Sequence, residues 1–329
     1  MMRAVVCREL GPPSVLRLET DWPSRPPGPG EVRVRLAACG VNFPDLLTVA
    51  GIYQEKPALP FLPGREGAGT VVETGEGVVE PAVGDRVMLR LPGPQGGFAD
   101  EVTVPSALCF PLPDGMGDAE AAGFIVVYGT AWHGLADVGR LAPGETLLVH
   151  GAAGGVGLAA IEVGKALGAT VIATASTAEK RAVARAHGAD HALDYDADGG
   201  FREGVRILTG GHGADVVFDP VGGKVAEPSL RALAPEGRLL LVGFTSGEYA
   251  RLPTNIVLVK WATVAAVRFG VFSRTYPERA RRNLAQLAAL YNVGRLRPRV
   301  ARRYRLDEAA TALECLRDRA AMGKIVLVP

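Results

Sequence analysis

The segment Leu147-Leu148-Val149-His150-Gly151-Ala152-Ala153-Gly154-Gly155-Val156-Gly157 constrains this chain more than any other. A short apolar strand, Thr146–His150, runs into it, and a helix rich in Ala and Leu, Gly155–Leu167, runs out of it. Small residues at a strand-to-helix turn let the backbone approach a pyrophosphate. The N–H groups opening the helix then face its oxygens, and the helix dipole adds to the attraction. Ala153, Gly154, Gly155 and Val156 are therefore candidate cofactor contacts, and Gly157 lets the helix pack closely on the strand. Ala152 stands where the GxGxxG fingerprint has its first glycine.

The surroundings support the same reading. From about Ala119 onward, strands alternate with helices. Strands are expected at Thr170–Ala175, His191–Asp194, Asp215–Asp219, Arg238–Val242 and Thr263–Arg268. Helices are expected at Thr177–His187, Phe201–Leu208 and Val225–Leu233, with Ser176 or Thr177 capping the first. Such alternation implies βαβ units and a parallel sheet. The first ~120 residues are rich in Pro and Gly, with short β-branched runs such as Val32–Leu36, Gly69–Glu73 and Arg86–Leu89. They read as a barrel-like, mostly-β domain with long loops. The last sixty residues are mixed: a helix over Glu278–Tyr291, a strand at Arg299–Tyr304, a helix at Asp307–Arg317 capped by Asp307, and a strand at Ile325–Val328. A segment this short is expected to return and complete the first domain. The expected fold class is thus α/β: a doubly wound parallel sheet plus a mostly-β domain.

Bulk properties narrow the function. With 36 Lys and Arg against 35 Asp and Glu, nothing suggests a polyanionic partner, so nucleic acid is not expected. The four cysteines, Cys7, Cys39, Cys109 and Cys315, form no CxxC motif and read as buried thiols in a reducing compartment. No apolar run is long enough for a bilayer, and Met1–Cys7 carries no signal pattern, so a cytoplasmic location is expected.

The second strand of the alternating region decides which dinucleotide fits. NAD-binding folds usually end this strand on an acid that holds the ribose hydroxyls. Here it ends Ala173-Thr174-Ala175-Ser176, with Lys180 following and Tyr195 ending the third strand. A hydroxyl, an ammonium and a phenol suit a 2′-phosphate, so Ser176, Lys180 and Tyr195 point to NADPH. The plainer alternatives are a solvated helix lysine and a half-buried strand end.

At this point the chain resembles the medium-chain dehydrogenase/reductase superfamily, in its zinc-free quinone oxidoreductase (zeta-crystallin-like) branch. The resemblance rests on Gly40-Val41-Asn42-Phe43-Pro44-Asp45, Pro63-Gly64-Arg65-Glu66-Gly67-Ala68-Gly69, Val83-Gly84-Asp85-Arg86-Val87, Gly129-Thr130-Ala131 and the glycine turn. It implies a GroES-like catalytic domain from residues 1–122 and 269–329 around a Rossmann domain at 123–268. It also implies a homodimer joined edge to edge through the last Rossmann strand, here Thr263–Arg268.

Many members of that superfamily carry catalytic zinc. Their pattern puts Cys where this chain has Asn42, His at Arg65, and a second Cys near Val126; the four-cysteine structural lobe is replaced by the short loop 90–99. A catalytic zinc needs three protein ligands, and Cys39 alone cannot supply them, so no metal is expected. Without a Lewis acid, electron-poor acceptors are favoured. The resemblance implies that Thr130 holds the nicotinamide carboxamide and that Gly243, Phe244 and Thr245 border the ring. It also implies that Asn42, Asp45 and Tyr53 line the acceptor pocket. Asn42 would bond a substrate oxygen or the ribose, Tyr53 would donate to a developing oxyanion, and Asp45 either orients the loop or joins the chemistry. Arg65 and Arg268 either attract an anionic group or pair with a carboxylate, such as Glu66 for Arg65. The expected activity is NADPH-dependent quinone reduction. The rivals are reduction of an activated C=C bond in an enone or enoyl-CoA, and a non-catalytic NADPH-binding or RNA-associated role.

Overall fold

The computed structural model describes residues 1–91, 93, 95–196 and 199–329. The chain divides into two compact units, Val127–Arg297, and Met1–Val126 together with Pro298–Pro329.

In the second unit six strands form one parallel sheet. Across the sheet they lie in the order His191–Leu193, Thr170–Thr174, Thr146–Val149, Ala214–Asp219, Leu233–Leu241 and Thr263–Ala266. Numbered in chain order within this sheet, that is 3-2-1-4-5-6, the doubly wound Rossmann order. Helices cover both faces of such a sheet, so its strands are apolar on both sides. Leu147, Leu148, Val149, Val171, Ala173, Val216, Val217, Phe218, Leu239 and Leu240 are accordingly all fully buried. The switch in direction falls between Thr146–Val149 and Ala214–Asp219, and the glycine turn leaves the first of these.

In the first unit the strand Glu31–Val41 is the spine. Val32, Val34 and Leu36 are buried while Arg33 and Arg35 point outward, the alternation its sequence predicts. It pairs antiparallel with Glu66–Thr74, Glu101–Pro105 and the C-terminal Lys324–Val328. The last strand therefore does return to the first unit, with Ile325 opposite Val41 and Leu327 opposite Cys39. The core it closes joins Cys7, Cys39, Val41 and Phe61 to Leu306, Leu313, Ile325 and Leu327.

Several local expectations need correction. The cap at Ser176 or Thr177 is Thr177, whose hydroxyl accepts from the Lys180 N–H at 3.2 Å. Asp307 is not a cap. It lies in a short 3-10 turn, Leu306–Glu308, and the Glu308 carboxylate instead takes the Arg305 N–H. The helices Phe43–Val49, Thr254–Lys260 and Phe269–Thr275 carry too few residues for a readable period. The expected return to the first unit at residue 269 falls at Pro298 instead. The intervening residues pack within the second unit: the Phe269 ring fills the space a Cβ on Gly129 would need, and Asn283 donates to Asp137 at 2.9 Å. Pro92 and Pro94 of the loop 90–99 lie outside the described residues.

One buried carboxylate fastens both ends of the second unit. Glu162, on the helix Gly155–Ala166, accepts from the Tyr128 hydroxyl at 2.7 Å and the Arg297 N–H at 2.9 Å. Its other oxygen meets His187 Nδ1 at 2.6 Å.

Candidate active site

The glycine turn is built for close approach. Gly151 adopts a left-handed φ of +57° and its carbonyl accepts from the Gly154 N–H at 3.0 Å. Gly154 is the N-cap residue of the helix Gly155–Ala166. A Cβ on Gly157 would lie 2.4 Å from the Gly151 carbonyl oxygen, so only glycine admits this crossing of helix and turn. Ala153 and the half-buried Val156 flank the opening. The first amides of a helix have no partner within it, so the turn presents donors where a pyrophosphate would sit. Small side chains, a tight turn and a helix N-terminus at the switch point fit a dinucleotide.

His150 locks the strand beneath. It is fully buried, with Nδ1 2.7 Å from the Thr174 hydroxyl and Nε2 2.7 Å from the Ser229 hydroxyl. Ser229 donates to the Val225 carbonyl, so it accepts from a protonated Nε2, and Nδ1 accepts from Thr174. Burial pulls the His150 pKa down to about 4, so the ring is neutral at ordinary pH.

The second strand ends at Thr174 and leaves Ser176 exposed, and its end, Ala173–Ser176, carries no acid. Lys180 sits in the first turn of the next helix, Ala178–Ala186. Tyr195, just after the third strand, accepts a hydrogen bond of 2.8 Å from the Gly151 N–H. The structure thus brings Tyr195 to the glycine turn and leaves Ser176 and Lys180 on either side of the Thr177 cap. Arg181 was not singled out from the sequence. Its guanidinium donates to the Ala175 carbonyl at 3.0 Å and pairs with Asp194, joining the second strand's end to the third's. A cation adjoining Lys180 was the signal that could have found it.

Thr130 lies in the helix Ile125–Trp132. Gly243, Phe244 and Thr245 follow the fifth strand of the sheet, where Thr245 donates to the Pro220 carbonyl at 3.1 Å. That loop is pinned to the one after the fourth strand, whose Asp219 carboxylate accepts from the Val221 and Gly222 N–H groups at 2.8 and 2.9 Å. The loops after the fourth and fifth strands leave the C-terminal edge of the sheet, where doubly wound folds bind ligands.

The acceptor candidates belong to the first unit. Asn42 is the N-cap residue of the helix Phe43–Val49: its backbone carbonyl accepts from the Asp45 N–H at 3.0 Å, and the Asp45 carboxylate accepts from the Asn42 N–H at 2.8 Å. Asp45 is buried and also accepts from the Gly64 N–H at 3.3 Å. Burial raises its pKa to about 6 against the opposing pull of Arg65. These bonds make Asp45 a loop anchor. The expected Glu66 partner for Arg65 is corrected. Arg65 lies 3.7 Å from both Asp45 and Glu55, donates to the Thr48 hydroxyl at 2.9 Å, and stands 4.4 Å over the Tyr53 ring. The Tyr53 hydroxyl has no hydrogen-bond partner among the described residues. Arg268 is exposed at the N-cap of Phe269–Thr275.

Glu66 instead faces Lys324. The Lys324 ammonium donates to Glu66 Oε1 at 2.8 Å, Asn42 Oδ1 at 2.8 Å and the Val41 carbonyl at 3.0 Å. Asn42 Nδ2 donates to Glu66 Oε1 at 3.0 Å and the Gly40 carbonyl at 3.2 Å, and the Val126 N–H donates to Glu66 Oε2 at 2.8 Å. A Cβ on Gly40 would fall 2.6 Å from Glu66 Oε1, so glycine makes room for the network. This donor set does not fit a catalytic zinc. Asn42 and Val126 join the network around an ammonium, Arg65 is itself a cation, and burial pushes the Cys39 thiol well above its ordinary value, away from thiolate.

A parallel sheet of doubly wound order with a glycine turn at its switch point, in a chain whose other unit is a mostly antiparallel sheet closed by the C-terminal strand, defines a nucleotide-dependent dehydrogenase or reductase architecture. Comparison with known proteins agrees. The alcohol dehydrogenase GroES-like domain matches residues 28–114 and the zinc-binding dehydrogenase domain residues 155–286. The chain is 38% identical over 327 residues to the quinone oxidoreductase-like protein 2 homolog of Nematostella vectensis, covering 99% of this chain and 88% of that protein. Escherichia coli quinone oxidoreductase, solved with NADPH, superposes with a TM-score of 0.92 at 31% identity, covering 99% of this chain and 100% of that one. The Pseudomonas syringae pv. tomato quinone oxidoreductase gives 0.92 at 33% identity with full coverage of both chains. The chain belongs to the medium-chain dehydrogenase/reductase superfamily, in its quinone oxidoreductase branch.

Proposed function

We propose that this chain is an NADPH-dependent reductase of electron-poor acceptors, quinones first, working without a metal. The observation that carries the cofactor choice is the end of the second strand. No acid occurs in Ala173–Ser176, where NAD-binding folds carry one, Lys180 follows in the next helix, and Tyr195, after the third strand, bonds the Gly151 amide. The relatives named above support the acceptor class. Bound NADPH supplies the hydride. The amides of Gly155 and Val156 hold the pyrophosphate, with Ala153 and Gly154 shaping the turn beneath it; Ser176, Lys180 and Tyr195 hold the 2′-phosphate, Thr130 the carboxamide, and Gly243–Thr245 the edge of the ring. Tyr53 is the donor to oxygen as charge develops, with Arg65 over its ring stabilising that charge. Asp45 anchors the loop that carries Asn42.

Among the described residues the sheet's last strand, Thr263–Ala266, pairs on one side only, and Leu258, Val259 and Trp261 beside it are 81%, 79% and 72% exposed. An apolar edge of this kind supports a homodimer. Four free, buried cysteines support a reducing, cytoplasmic setting, and no helix among the described residues is long and apolar enough to cross a membrane.

The test is NADPH oxidation against quinones, enones and enoyl-CoAs, with and without a chelator. Turnover is expected with quinones, preferring NADPH over NADH and insensitive to the chelator. No turnover with any acceptor removes the enzymatic reading, and equal use of NADH removes the role given to Ser176 and Lys180.

A further inference from the structure

The first unit holds a closed cation site. A backbone carbonyl, an amide oxygen and a carboxylate oxygen converge at 2.8–3.0 Å on one positive charge, the ammonium of Lys324. All three N–H bonds of that ammonium are used. Gly123 gives its methylenes space, since a Cβ there would lie 3.1 Å from them. Two of the three positions at which zinc enzymes of this superfamily place their ligands, Asn42 and Val126, enter this network. The charge that a metal brings from outside is here carried by the last strand of the chain.

We infer that Lys324 is the positioning residue of the acceptor site, acting through Asn42. A lysine only donates and a carboxylate only accepts, so their placement fixes the Asn42 amide: Oδ1 toward Lys324, Nδ2 toward Glu66. Both Asn42 N–H bonds are then spent on Glu66 and Gly40. What remains is one lone pair on Oδ1. Asn42 is therefore an acceptor for a hydroxyl, not a donor to a carbonyl. It recognises a hydroxyl group, such as that of a reduced acceptor, and leaves the developing oxyanion to Tyr53. Without Lys324 the amide is free to turn, and this selection is lost. The inference rests on the reading that Asn42 lines the acceptor site.

Three variants separate positioning from simple neutralisation of Glu66: Lys324→Met, Lys324→Arg, and the double variant Glu66→Gln/Lys324→Met, which leaves no unpaired buried charge. Each is measured for kcat and KM with 1,4-benzoquinone, for NADPH affinity by fluorescence quenching, and for Asn42 side-chain amide exchange by NMR on asparagine-labelled protein. Lys324→Met and the double variant should lose roughly 10–100-fold in kcat, on the scale of lost supporting hydrogen bonds at metal centres. NADPH affinity should hold, Asn42 exchange should accelerate, and Lys324→Arg should restore part of kcat. Wild-type kcat in the double variant, or unchanged Asn42 exchange there, overturns the inference. If Lys324→Met fails to fold, the double variant carries the test. If the wild type reduces no acceptor, the proposed function fails while Asn42 exchange still reports on positioning.

Discussion

The Tyr195 hydroxyl accepts a 2.8 Å hydrogen bond from the Gly151 amide, tying the third strand of the Rossmann sheet to the turn after its first. Tyr195→Phe removes this bond and nothing of the ring. A single hydrogen bond is worth about 1 kcal/mol net, so NADPH should bind roughly fivefold more weakly, as fluorescence titration would read. Unchanged affinity would mean that the phenol only decorates the turn.

Lys180 and Ser176 should govern the choice of nucleotide. Lys180→Ala is expected to raise KM for NADPH by roughly 10–100-fold, the worth of hydrogen bonds to a charged phosphate, and to leave NADH alone. Ser176→Asp should shift preference toward NADH by repelling the phosphate and accepting the ribose hydroxyls. An equal loss with both nucleotides would place Lys180 outside the phosphate site.

Two glycines of one turn should respond differently to the same change. A Cβ on Gly157 meets the Gly151 oxygen at 2.4 Å, whereas one on Gly154 meets it at 3.4 Å, an ordinary contact. Gly157→Ala should cost about 1–3 kcal/mol of stability, as overpacking does, while Gly154→Ala should melt near the wild type. Calorimetry of the two single variants gives the comparison.

His150 and Asp45 should bend the pH dependence of stability in opposite directions. His150 has its pKa depressed by burial from 6.5 to about 4, so its contribution is present above 6.5 and lost as pH falls through about 4. The span is worth about 3 kcal/mol. Asp45 has its pKa raised by burial from 3.8 to about 6, so its contribution is present below 3.8 and lost as pH rises through about 6. The melting-temperature gap between neutral and mildly acidic buffer should therefore shrink in His150→Gln and widen in Asp45→Asn. Gaps moving the same way would contradict this assignment.

Leu258→Asp puts a charge on the apolar edge beside Thr263–Ala266. Sedimentation should find a dimer in the wild type and a monomer in the variant, with catalysis by each chain retained. A dimer that survives the substitution would place the interface elsewhere.

The sequence told most where information is local. The glycine turn, the apolar parallel strands and the alternating Val32–Leu36 strand each carry their signal in adjacent residues, and the structure has them there. The Lys324 network was invisible because Lys324 lies 258 to 283 residues from the groups its ammonium bonds, and only strand pairing brings them together. Arg65 was matched with its neighbour Glu66, yet it sits in the bend just before the strand that Glu66 opens, and its partners are Asp45 and Glu55. The late return to the first unit follows from packing of Phe269 under Gly129, which no composition shift announces.

Glu162 holds the Tyr128 hydroxyl and the Arg297 amide at once, so the residues that open and close the second unit meet at a single carboxylate. A segment whose two ends already touch can be spliced into a host loop with almost no entropy cost of closure. The second unit is thus tied at both ends by its own carboxylate, and genetic exchange of residues 127–297 as one block is expected to carry the cofactor preference with it.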